Sequence, residues 1–170
     1  MKPLVLSPEL VIPWEHGIAE MSLLKRAREE KAMNRSLDDI LKDAEEAVRV
    51  IRQPAKANQD EGEGWFYVPL VPVIEAPDDL KEKGSHIIYN GHHRLAAAKE
   101  VGIYLPCMLI ENDKDLEKAV KRGEGLSTDK REIPFIYLAH RIEIHRLARK
   151  YAEDEKNKIK EKPYQKHWGF

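Results

Sequence analysis

The chain has 170 residues, 29 of them Lys or Arg and 30 Asp or Glu, for a net charge of −1. That balance excludes bulk adhesion to nucleic acid or to an anionic bilayer, so any anion site must be local. The length suits one domain with a helical appendage, and a single cysteine, Cys107, excludes an intramolecular disulfide and favours a reducing interior.

The N-terminal stretch MKPLVLSPEL has only a short apolar run broken by prolines, which predicts no secretory signal. No stretch approaches the ~18 consecutive apolar residues that span a bilayer, so no membrane partner and a cytoplasmic location are expected. Residues 3–6 and 10–12 are β-favouring and punctuated by Pro3, Pro8 and Pro13, as in an edge strand or an extended entry. From about Ile18 to Met33 the pattern turns helical, with Met21, Leu24 and Ala27 (or Arg28) on one face. Ser36 is set to cap a second helix, because Asp38 and Asp39 in its first turn favour the helix dipole. Leu37, Ile40, Leu41, Ala44, Ala47, Val48 and Ile51 follow at helical spacing, and Pro54 ends the pattern.

Residues 55–64 are polar and glycine-containing, as in an exposed loop. The segment WFYVPLVPVIEAP predicts a strand, with Pro69 and Pro72 arguing for an edge position or a bulge. A charged turn at 78–84 leads to a strand over His86–Tyr89, a helix over 91–101 and a buried strand over Leu105–Ile110. Asp113 or Asp115 caps a helix to about Arg122, and residues 123–128 form a loop. Ile133, Ile136, Tyr137, His140, Ile144, Leu147, Ala148 and Tyr151 then trace the apolar stripe of a long helix. That stripe packs on the domain or on a second subunit, as in a homodimer. The tail has no apolar period and is expected to be mobile unless Trp168 and Phe170 dock. The expected organisation is a domain over 1–128 with a helical insertion at about 17–54, a helical extension over 129–160 and a tail over 161–170. The class is α+β, a small mixed sheet with flanking helices and a long C-terminal helix.

The chemistry concentrates in IIYNGHHRLAAAKEVG, where a short strand meets Asn90-Gly91 and a helix starts on His92, His93 and Arg94. A helix start leaves backbone N–H groups without intrahelical partners and carries partial positive charge. Asn90 can cap a donor or take a positive φ, and Gly91 lets a ligand approach the backbone. Arg94 offers a fork of donors suited to phosphate or carboxylate. Together these make an anion site. The plainer alternative is a strand–turn–helix junction with two exposed histidines and an arginine paired to Glu75 or Glu100.

The stretch IIYNGHHRLAAAKEVGIYLPCMLIEN resembles the core motif of the ParB/sulfiredoxin superfamily: a strand, Asp/Gly-Gly-x-x-Arg, an alanine-rich helix, a glycine and a second strand. The matching pieces are Asn90 to Arg94, Leu95 to Val101, Gly102 and Pro106-Cys107-Met108, while the segment 17–64 is longer and more helical than the family's. Sulfiredoxins carry a catalytic cysteine where His92 stands, which argues against their chemistry. Partition proteins carry Gly-Glu-Arg-Arg in a CTP pocket, and His92 and His93 replace that Glu and the first Arg. The nearest local resemblance is to free serine kinases with Asp-Gly-His-His-Arg, from which Asn90 departs at the first residue. An asparagine amide is a poor substitute for a carboxylate at Mg²⁺ and cannot accept a proton as a base.

What the resemblance implies is a nucleotide site for ATP or ADP, or for CTP, with Mg²⁺ bridging the phosphates. Asn90, Gly91, His92, His93 and Arg94 would bind the phosphates. His93 and Arg94 would also serve catalysis, with Glu15 of VIPWEHG as general base toward a small hydroxyl-bearing substrate. The reaction is phosphotransfer or nucleotide hydrolysis. The alternative for Glu15 is an exposed charge after a strand. A second function class is a ParB-like DNA-binding or nuclease protein with nucleotide as a switch, using the basic face at Arg141, Arg146, Arg149 and Lys150. No dedicated metal site is expected, because His140 and His145 are five apart rather than four.

Overall fold

The run VPVIE is apolar on successive residues, as in a strand covered on both faces, and forms β3 (Val71–Glu75) at the centre of the sheet. The structure, a computed structural model, describes residues 2–18, 21–33, 35–51, 70–121 and 134–168, with side chains omitted at 21, 22, 47–51 and beyond 158. The predicted loops at 55–64 and 123–128, residues 65–69 and Ile133 lie outside the described residues.

Among the described residues the sheet has five strands in the order β1–β5–β3–β4–β2, where β1 is Lys2–Leu6, β2 Val11–Ile12, β4 His86–Ile88 and β5 Leu105–Leu109. The pairs β1–β5 and β3–β4 are antiparallel, and β5–β3 and β4–β2 are parallel. The expected α+β class with a small mixed sheet is therefore observed. The N-terminal segments form both edges of the sheet rather than one.

Pro72 corrects the edge assignment made for its strand. It lies in the central strand opposite Met108 of β5, and its carbonyl accepts the Tyr89 N–H at 2.8 Å. It has no N–H to return, and the β3–β4 ladder ends at the neighbouring pair, Val73 with Ile88. The proline thus stops β4 where the chain must turn toward Asn90.

Among the described residues five helices accompany the sheet: α1 (Met21–Ala32), α2 (Leu37–Ile51), α3 (His92–Val101), α4 (Asp113–Lys121) and α5 (Tyr137–Trp168). Ser36 caps α2 as expected, its hydroxyl accepting the Asp39 N–H at 3.2 Å. The cap of α4 is Asn112, not Asp113 or Asp115: its side-chain oxygen accepts the Asp115 N–H at 2.9 Å. Asp115 is buried instead and accepts the Glu111 N–H at 3.1 Å, close to a reciprocal capping box. Asp113 accepts the Tyr137 N–H at 2.6 Å and so ties the start of α5 to α4.

The stripe of α5 packs into the chain's own core through His140, Ile144 and Ala148, where Ile74, Ile87 and Met108 are also buried. Phe135, Leu138 and Ile142 stay exposed. The helix continues to Trp168, through most of the segment expected to be mobile, because Lys, Glu and Gln there favour helix without an apolar face. On its outer face Arg149 binds both carboxylate oxygens of Asp79, at 2.7 and 3.0 Å, and Arg146 pairs with Glu143. No helix among the described residues is long and apolar enough to cross a membrane.

Candidate functional site

Beyond Ile88 the chain runs through buried Tyr89 to Asn90 and Gly91, and α3 begins. Gly91 is the N-cap, with φ +103 and ψ 34, and supplies no capping side chain. The first intrahelical bond is Leu95 N–H to Gly91 O at 3.0 Å, so the N–H groups of His92, His93 and Arg94 precede the helical ladder. A Cβ on Gly91 would lie 2.8 Å from Arg94 Nη2 and 3.0 Å from its Nε. The glycine therefore answers two demands at once, a left-handed backbone and a guanidinium laid against its Cα.

Arg94 is half-buried, and its Nη1 donates to the carbonyl of Leu70 at 3.2 Å, immediately before β3. His92 is buried, and its Nε2 accepts the backbone N–H of Trp14 at 3.0 Å. In the neutral ring the proton must then sit on Nδ1. That nitrogen lies 3.8 Å from Glu15 Oε2, too long for a hydrogen bond. Burial, and then the charges of His93 and Lys99, depress the His92 pKa to about 4, so the ring is neutral at pH 7.

Trp14 holds this arrangement from the other side. Its indole N–H donates to Ile88 O at 2.7 Å, and its ring meets His92 edge-on at 4.4 Å. Trp14→Phe removes a buried hydrogen bond and is expected to lower the unfolding free energy by about 1–3 kcal/mol, measurable by urea denaturation. The following residue, His16, stacks on Tyr151 of α5 at 4.4 Å and contacts Asp154 at 3.2 Å. The segment carrying Glu15 is thus pinned to both the sheet and the long helix.

Of the residues singled out in the sequence, Glu15, Gly91, His92 and Arg94 meet here, with Asn90 in the turn and His93 exposed on the first turn of α3. His92 was assigned to phosphate, yet its Nε2 faces Trp14 and its Nδ1 faces Glu15. Trp14 and the Leu70 carbonyl carry no sequence signal of their own. The only hint was the adjacency of Trp14 to Glu15. Cys107 is fully buried, and burial pushes its thiol up to about 12, which makes it a poor nucleophile. His140 is tied to Tyr89 Oη through Nδ1 at 2.9 Å. No group of three or more His, Cys, Asp or Glu among the described residues is placed to hold a metal ion.

No known family model matches this sequence, and no curated protein matches it either.

Proposed function

We propose that this chain is a nucleotide-binding protein of ParB/sulfiredoxin-like fold that moves a phosphoryl group, as a small-molecule kinase or a nucleotidase. One observation carries the proposal: Glu15, remote in sequence, comes within 3.8 Å of His92 at the uncapped start of α3. Phosphate oxygens suit the N–H groups of that first turn and the helix dipole. Exposed His93 offers a hydrogen-bond donor, and the Arg94 guanidinium beside Gly91 adds positive charge where charge develops during transfer. Glu15, held beside His92 at the start of α3, takes the proton of the attacking hydroxyl or water.

A hard cation would arrive on the phosphates, with its ligands from phosphate and water and few from the protein. Mg²⁺ bound in that way would offset phosphate charge. The DNA-binding alternative draws less support, since Arg146 and Arg149 already pair with Glu143 and Asp79.

The test is thermal-shift screening against ATP, ADP and CTP with and without Mg²⁺, followed by turnover in the presence of small hydroxyl compounds. Glu15→Gln is expected to lower turnover by about 10²–10⁴-fold while leaving the nucleotide-induced shift in place. Undiminished turnover in this variant would remove Glu15 as the base.

A further inference from the structure

Arg94 also lines a cavity of about 290 Å³, open on one side, bordered by α1, the start of α2, α3 and the turn from α3 into β5. Phosphoryl transfer at the start of α3 makes no use of this space. Its floor is apolar: Leu23 and Ala27 of α1 meet Ala97, Ala98 and Ile103, and the small alanines leave space open between the helices. Its walls are cationic. Among the described residues Arg26, Lys31, Arg35 and Arg94 line it against one carboxyl, Glu30, in a chain whose net charge is −1.

These cations are held in position. Lys31 Nζ donates to the carbonyl of Val101 at 2.5 Å, Arg35 is paired with Asp43 and donates to Asp39 O, and Arg94 donates to Leu70 O. Burial pushes the Glu30 carboxyl up, while Arg26 and Arg35 pull it down. The medium is therefore one in which charge is poorly solvated by water and an opposite charge counts for more. Like charges gathered around an apolar floor are complementary to a ligand with both characters.

We infer that this cavity binds a small organic anion, a single carboxylate or phosphate group on a short apolar body. Arginine forks suit either headgroup bidentately, and the alanine and isoleucine floor suits a hydrocarbon chain or ring. The volume lies at the lower end of small-molecule pockets, which fits a compact metabolite rather than a peptide. The inference does not need the nucleotide site, although the two share Arg94.

Isothermal titration of the full chain with hexanoate, hexyl phosphate, hexanol and inorganic phosphate tests it. At least one of the two amphipathic anions is expected to bind one-to-one and at least about tenfold tighter than hexanol or inorganic phosphate. The carboxylate and phosphate arms decide the headgroup. Arg26→Gln is expected to weaken that binding by about tenfold or more, and Ala97→Leu, which fills the floor, to weaken it further. Should either variant fail to fold, Lys31→Gln on an exposed side chain provides the charge test. Equal affinity for hexanol and both anions overturns the inference, as does unchanged affinity in the folded variants. ATP titrated into the same protein separates the two proposals: loss of ATP binding with anion binding intact counts against the nucleotide site alone.

Discussion

Gly91→Ala is expected to lower the unfolding free energy by about 2–4 kcal/mol, combining left-handed strain with the loss of a charged hydrogen bond. At φ +103 an alanine carries the backbone penalty that glycine avoids. Its Cβ would also stand 2.8 Å from Arg94 Nη2, so the guanidinium must move and its bond to Leu70 O is put at risk. A double-mutant cycle with Arg94→Ala separates the two effects. If the collision matters, Gly91→Ala costs less in the Arg94→Ala background, and the remaining cost is the backbone strain. Equal costs in both backgrounds would mean that Arg94 moves aside freely. The same substitution is expected to weaken nucleotide binding, because it puts a methyl group at the mouth where phosphate would approach.

Acid is expected to destabilise the protein by about 3 kcal/mol through His92 alone as pH falls from about 6.5 to about 4. An unfolded histidine takes up a proton near its ordinary value of 6.5, whereas the folded ring resists until about 4. The unfolded state therefore binds more protons across that window, and stability drops as pH drops. Above the window the contribution is fully present. Below it, the loss is complete, and protonation also ends the ring's role as acceptor for the Trp14 N–H. Burial lowers the pKa of His86, His140 and His145 as well, so their contributions have the same sign. Urea midpoints measured from pH 7.5 to pH 4 should fall steadily. His92→Gln, whose amide oxygen can accept the Trp14 N–H without titrating, should flatten the curve by its share. An identical slope in that variant would assign the acid sensitivity elsewhere.

Much of the architecture was legible in the chain. Short β-favouring and apolar runs marked strands that the structure contains, and Ser36 announced the start of α2 through an interaction that spans three residues. The failures share a cause. Pro72 suggests an edge by its own chemistry, but its place in the centre depends on where β4 stops, which is a property of another strand. Asp113 and Asp115 both looked like caps, and Asn112 took the role while they bound Tyr137 and Glu111. The lysine-rich tail lacks an apolar face, yet its residue types favour helix and continue α5 to Trp168.

The site divides along the same line. Strand, Asn-Gly turn and helix start lie within a few residues of one another, so local backbone rules alone put Gly91 and Arg94 at an anion-suited helix terminus. The sequence by itself determined that much, together with the α+β class and the absence of a reactive disulfide pair. Tertiary structure alone decided the rest. It set Trp14 against His92 across 78 residues of chain with Glu15 alongside, turned the imidazole from an expected phosphate-binding group into a buried neutral acceptor, and opened a cationic cavity between α1 and α3. Proton position and local dielectric depend on what surrounds a side chain, and those neighbours come from segments whose spacing in the sequence carries no signal.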